Sequence, residues 1–259
     1  MIDFPDSATI LAVVNDRRFI AAAAVSALSG LVRGFAGFGS ALIYMPLVAA
    51  IYDPRIAAIT LLLIDFCGST PFTVPEFKRC DWNEVIPIAI TTAIAVPFGT
   101  MALIWVDPII LRWGIAVLVL GLLGALVAGF RFHKSPGAAV TVGVGLFAGF
   151  GAGAVQIAGP AVIIYWLSRG ANSIKMRANL MVYFAIAGAA LVISYIVQGI
   201  FTAEGVLLSV LLGIPYLLAI GIGTYSFHGS SDVTYRRVAY IIIVLAAVLS
   251  LPVFDGFLR

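Results

Sequence analysis

Phe35-Ala36-Gly37-Phe38-Gly39 and Phe147-Ala148-Gly149-Phe150-Gly151 are the same five letters, 112 positions apart (147 − 35). Around each copy the chain is apolar but interrupted. Phe19 to Val32 is an apolar run that ends at Arg33-Gly34, and Ala41 to Tyr52 is a second, containing Pro46. Fourteen residues rising about 1.5 Å each fall short of a bilayer core of about 30 Å. The second copy has the same form: Ala138 to Ala148, a glycine-rich break expected over Gly149 to Gly153, then Ala154 to Leu167 with Pro160. Glycine weakens a helix interior by about 1 kcal/mol relative to alanine. Both copies therefore predict a pair of short helices joined at a break.

Composition sets the surroundings. Of 259 residues, 62% are hydrophobic and 10% charged, where soluble domains carry about 25% charge. Too little polar surface remains to cover a water-soluble body, so the chain reads as a polytopic membrane protein. Its net charge of +3 resides in short clusters between apolar runs, the pattern of topology signals rather than of a nucleic-acid surface. Cys67 and Cys80 are the only cysteines, which predicts no disulfide framework, no metal site and no cofactor.

Read in order, residues 1–16 form a leader without the basic start of a secretory signal. Residues 17–131 make a first repeat, 132–137 a connecting loop and 138–259 a second repeat. Each repeat holds the broken pair followed by three spans. Further echoes support a duplication: Gly99-Thr100 returns as Gly223-Thr224 at an offset of 124, and Asp107 and Arg112 return as Asp232 and Arg237 at 125. The fold class is thus all-α, with two inverted repeats, each a glycine-broken short helical hairpin plus three transmembrane helices.

Orientation follows from charge. With hairpins, Arg17, Arg18, Arg55, Arg112 and Arg259 lie on one side, and nine basic residues, among them Lys78, Arg79, Arg169, Lys175 and Arg177, on the other. If each break instead lay within one crossing helix, the count would be seven on each side. The positive-inside rule selects the hairpins and places the richer side in the cytoplasm.

Interrupted helices in matching halves are where transporters place substrate sites, since backbone without helical partners is costly in lipid unless it lines a cavity. Free N–H groups at a helix start carry partial positive charge toward an anion. The candidate substrate-binding set is Arg33, Gly37, Phe38, Gly39, Ser40, Gly149, Phe150, Gly151, Gln156 and Asn179, with Asp65 as a coupling residue. A plainer reading stands beside each. The glycines would serve close helix packing, Arg33 would snorkel, Asp65 would face water near a helix end, Gln156 would bond backbone, and Asn179 with Tyr183 would be polar glue. An intramembrane enzyme is disfavoured, because His133 and His228 form no H-E-x-x-H and Gly37-Phe38-Gly39-Ser40 lacks the glycine that follows a nucleophile elbow.

Gly34 to Leu47, Gly149-Phe150-Gly151, Gly159-Pro160 and Arg177-Ala178-Asn179 together resemble the TauE/SafE sulfite-exporter family, over essentially the whole chain. In Gln156-Ile157-Ala158-Gly159-Pro160 the chain departs from the richer glycine run expected there. The resemblance implies a multi-pass transporter, not an enzyme, in the bacterial cytoplasmic (inner) membrane. Its substrate would be a small sulfur-containing anion such as sulfite or an organosulfonate, exported by alternating access around a central site at the two breaks. Transport would be proton-linked or driven by the membrane potential; the lipid bilayer and a second copy in a homodimer are the other partners expected of the chain. A passive anion channel, or a cation-coupled transporter using Asp65, are the alternatives.

Overall fold

The computed structural model describes residues 14–36, 39–130, 136–169, 173–226 and 232–254. Among them the secondary structure is helical: α1 Arg17–Ala36, α2 Ser40–Ile51, α3 Pro54–Thr73, α4 Trp82–Trp105, α5 Pro108–Val127, α6 Ala138–Val155, α7 Gly159–Ser168, α8 Ser173–Val197, α9 Ala203–Ser226 and α10 Asp232–Leu249, with 3-10 turns at Val74–Lys78 and Pro252–Phe254. Five helices are long and apolar enough to cross a membrane, α4, α5 and α6 with the Lys175–Val197 and Ala203–Gly223 parts of α8 and α9; α2 and α7 are apolar but short. The protein is an all-helical, multi-pass membrane protein.

Its contacts divide into two compact units that cut across the sequence repeats. One holds Met1–Ile64, Asp107–Leu120 and Ile200–Arg259; the other holds Asp65–Val106 and Gly121–Gly199.

In the first unit α1 packs along α9. Small residues recur every four positions on the α1 face: Ser26 donates to the Leu212 carbonyl (2.8 Å), and Gly30 and Gly34 lie against the backbone carbonyls of Tyr216 and Ile220, where a Cβ would overlap. α2 then turns back toward the start of α1. Tyr52, just past its end, feels Asp16, Arg18 and Glu204; burial first, then the two carboxylates, push its phenol up to about 12. Tyr44 in α2 donates to Thr60 in α3 (2.9 Å), since the Thr60 proton is committed to the Ile56 carbonyl (2.8 Å). Arg112, buried at the start of α5, donates to the Ser250 carbonyl at the end of α10 (2.8 Å), a favourable place for a cation.

The second unit repeats this plan. α6 packs along α4. Gly149 and Gly153 abut the Thr92 and Val96 carbonyls, and Gly145 would place a Cβ 2.9 Å from the Ile88 carbonyl oxygen. Gly149 and Gly153 stand 119 positions after Gly30 and Gly34 (149 − 30, 153 − 34), and their partners Thr92 and Val96 stand 124 before Tyr216 and Ile220 (216 − 92, 220 − 96). Both pairs thus share one register.

α7 doubles back on α6. Tyr165 and Thr141 join their hydroxyls at 2.9 Å, and Arg169 reaches the Pro136 carbonyl, just before α6 begins, at 3.1 Å. The chain enters and leaves at the same end, so α6 and α7 form a helical hairpin.

The positions of the breaks differ from the sequence reading. Arg33 and Gly34 still belong to α1, leaving only Gly37-Phe38-Gly39 before α2. Gly149 to Gly153 are helical within α6, and the second break is Gln156-Ile157-Ala158. The cause is packing. Each missing side chain lets α6 and α4 approach to backbone contact, which offsets the helix penalty of glycine. Pro160 does not match Pro46 either: it stands in the first turn of α7, where no amide hydrogen is needed, while Pro46 lies within α2.

Candidate functional site

The hairpin tips are the places where membrane helix gives way to open backbone. At the first, Gly39 precedes α2 with φ 96°, a left-handed conformation that any side chain would strain, and Ser40 is buried at the helix start. No side chain caps α2. Gly37 and Phe38 lie outside the described residues. Arg33 sits half-buried in the last turn of α1, where a cation complements the helix end.

At the second tip, Gln156 is the one non-glycine residue with positive φ among those described, at φ 59° and ψ 19°. Its amide donates to the Ala152 carbonyl, and the next, Ile157, donates to that of Gly151. Its side chain hydrogen-bonds the buried Tyr195 hydroxyl, which also donates to the Gly153 carbonyl (3.4 Å). A glutamine held in the left-handed region is strained by about 1 kcal/mol or more. A residue with nothing but a turn to make would be glycine there, so the amide side chain marks this position. α7 begins directly after, uncapped by any side chain.

Of the residues singled out from sequence, Gly151 and Gln156 meet at this tip. Gly149 is buried against α4, and Phe150 points away from the unit, 49% exposed. Asn179 is elsewhere: Tyr195, the partner of Gln156, follows it on α8 by 16 positions (195 − 179), about 24 Å along the axis. Asp65 is half-buried within α3.

Asn179 belongs instead to a polar junction at the open end of the second hairpin. Fully buried, it accepts from the Asp81 amide (2.7 Å) and donates to Glu84 Oε2 (3.1 Å). Glu84 Oε1 takes Arg169 Nε at 3.1 Å, and Arg169 Nη1 donates to Tyr165 (3.2 Å). One carboxylate thereby ties the start of α4 to the end of α7 and the start of α8. Tyr183, one turn on, shares a hydroxyl contact with Thr92 at 3.0 Å. Glu84, Tyr165 and Arg169 escape sequence reading because their partners come from distant segments; the one local sign is an acid in the first turn of an otherwise apolar α4.

At the rim of the junction Lys175 bonds Asp81 at 2.6 Å. That hydrogen bond, against a smaller opposing cost of burial, holds the Asp81 carboxyl below the usual range. A carboxyl with a lowered folded value stabilises the fold above its unfolded value of about 3.9 and loses that contribution as pH falls through the lowered one. The expected result is that unfolding midpoints fall between about pH 5 and pH 2 in the wild type. Asp81→Asn, which keeps an oxygen for the helix cap from Asn83, flattens part of that slope.

No cluster of His, Cys, Asp or Glu suited to a metal ion occurs among the described residues. No curated protein and no solved structure matches the chain. The family described as Sulfite exporter TauE/SafE matches residues 22–250, which takes in both hairpins and nearly every helix. The chain, with its apolar spans, belongs to the TauE/SafE sulfite exporter family.

Proposed function

We propose that the protein exports small sulfur oxyanions, sulfite or short organosulfonates, across the bacterial cytoplasmic membrane by alternating access, with the hairpin tips holding the substrate. The observation that carries this is the tip geometry. At each tip, a helix begins without a side-chain cap. Such a start offers amide hydrogens and a positive dipole end to an anion. Ser40 adds a hydroxyl at the first tip, and Gln156 adds an amide at the second. Arg33 raises the local concentration of anions.

Basic residues Arg169 and Lys175 gather at the open end of the second hairpin, so the positive-inside rule puts that end in the cytoplasm. Export then begins with capture from that side. A coupling proton and a homodimer belong to the same proposal.

The test is thermal stabilisation of the purified protein by sulfite, a short organosulfonate, sulfate, a carboxylate of similar size and sodium, since a ligand of the folded state raises its stability by mass action. Stabilisation by the sulfur oxyanions is the expected result. Gln156→Gly retains the left-handed turn and deletes the amide; it should keep the unfolding midpoint within about 1 kcal/mol of wild type yet reduce the sulfite response. Stabilisation by sodium alone would transfer the function to a cation.

A further inference from the structure

We propose that Arg169 Nε and Asn179 Nδ2 form an entry site for the exported oxyanion at the open end of the second hairpin, a site that the Glu84 carboxylate occupies until substrate displaces it. This rests on the anion-export reading and adds to it the place of capture.

The geometry is that of an oxyanion cradle already filled. Arg169 Nε donates to one Glu84 oxygen at 3.1 Å, and Asn179 Nδ2 donates to the other at 3.1 Å. Both donors are fixed from behind. Asn179 Oδ1 accepts from the Asp81 amide (2.7 Å), so the carboxamide turns its N–H toward Glu84. Arg169 Nη1 donates to the Pro136 carbonyl (3.1 Å) and to the Tyr165 hydroxyl (3.2 Å). That hydroxyl gives its own proton to Thr141, because Thr141 donates to the Gly137 carbonyl. The guanidinium thereby keeps its Nε edge toward whatever group stands in the place of Glu84.

The chemistry of the two donors fixes the class of ligand. In this orientation both donate and neither accepts, so the cradle takes two negatively charged acceptor oxygens carried on one atom. A carboxylate meets that description, and so do sulfite and a sulfonate; a metal cation does not. No void beyond the carboxylate's own space is required, because the ligand takes the place that the carboxylate leaves.

The surroundings permit the exchange. Asn179, 0% exposed, forms the floor, while the side chains of Arg169 and Glu84 are 27% and 19% exposed. A solute can reach this pair, and water that reaches an ion pair weakens it. Lys175 engages the Asp81 carboxylate at 2.6 Å, so with Glu84 turned outward the cradle itself is left positive. Glu84 stands at the start of α4, Arg169 just past α7 and Asn179 on α8. Substrate that replaces Glu84 cuts the tie from α4 to both, so loading from the side assigned to the cytoplasm loosens the short arm of the hairpin.

The test is equilibrium binding of radiolabelled sulfite to full-length protein in detergent micelles, run in parallel on a Gln156→Gly background that weakens the tip and leaves the entry site as it is. Glu84→Ala empties the cradle. A site vacant about a tenth of the time binds about ten-fold more weakly than one always vacant. Glu84→Ala is therefore expected to bind sulfite about ten-fold more tightly than its parent, and a short alkyl sulfonate should compete for that binding. Adding Arg169→Met should abolish the gain. Loss of a merely structural ion pair lowers affinity or leaves it unchanged, so a gain separates the two roles. If the wild type binds sulfite while Glu84→Ala binds no more tightly in either background, the inference is overturned and the export reading survives. If neither the wild type nor any variant binds a sulfur oxyanion, that reading falls and this one with it. Should Glu84→Ala fail to fold, Glu84→Gln decides by the same criterion, since it keeps the shape and one acceptor oxygen but sets an N–H against the Asn179 donor.

Discussion

Gly149→Ala is expected to destabilise the protein by about 2 kcal/mol or more, although the same exchange in most helices stabilises. Alanine is the better helix former by about 1 kcal/mol, and it also narrows the unfolded ensemble. Both effects are outweighed here, because a Cβ at Gly149 overlaps the Thr92 carbonyl oxygen and would stand 2.8 Å from the Thr92 Cα. Backbone cannot rotate away as a side chain does, so α6 and α4 must separate along the contact, an overpacking whose cost is typically about 1–3 kcal/mol and occasionally more. Gly143 on the same helix provides the control, since a Cβ there meets nothing within 4 Å. Gly143→Ala should leave the midpoint unchanged or raise it. The matching test in the first unit is Gly34→Ala, which places a Cβ 2.8 Å from the Ile220 Cα. Unfolding in mixed micelles followed by circular dichroism measures all three. An unchanged midpoint for Gly149→Ala would mean that the two helices are not in backbone contact.

The second large effect is expected at Asn179. Asn179→Leu keeps the branched shape, at a somewhat larger volume, and removes both hydrogen bonds, leaving the Asp81 amide and one Glu84 oxygen without that partner. An unmet buried polar group costs about 1–3 kcal/mol, so a loss of about 2–3 kcal/mol should follow. Asn179→Asp is the sharper probe. It retains an acceptor for the Asp81 amide but sets a second carboxylate against Glu84, so its defect should be larger at pH 7 than near pH 4, where one of the two takes a proton. A defect of equal size at both pH values would remove Glu84 from the junction.

These two sites also show which parts of the architecture the amino-acid order discloses. Membrane residence follows from composition, but the short first arms expected from the apolar runs do not: those helices continue through the glycines to 20 residues in Arg17–Ala36 and 18 in Ala138–Val155, and only the second arms are short. At Gly39 the letter and the backbone agree, because a left-handed residue before α2 is a local demand. At Gly149 to Gly153 they part. Whether a glycine breaks a helix or lets a neighbour close in depends on α4, more than forty residues earlier in the chain, and no local pattern records that. The true second break, Gln156-Ile157-Ala158, carries no turn-forming letter at all.

The five-letter echo at 112 positions is likewise not the structural register. The glycine pairs repeat at 119, and only the Gly99-Thr100 and Gly223-Thr224 echo, at 124, matches the helices that receive them. Asn179 and Tyr183 were legible as one polar face of a helix. Their partners Glu84 and Thr92 were not, because the contacts join segments more than ninety positions apart.

The most direct measurement is the efflux of radiolabelled sulfite from proteoliposomes holding the purified protein, followed against protein-free vesicles. The account predicts release that is faster than from empty vesicles, saturates with internal sulfite, is competed by a short organosulfonate, and is indifferent to replacing sodium with potassium. Release no faster than from protein-free vesicles, for sulfite and organosulfonates alike, would contradict it.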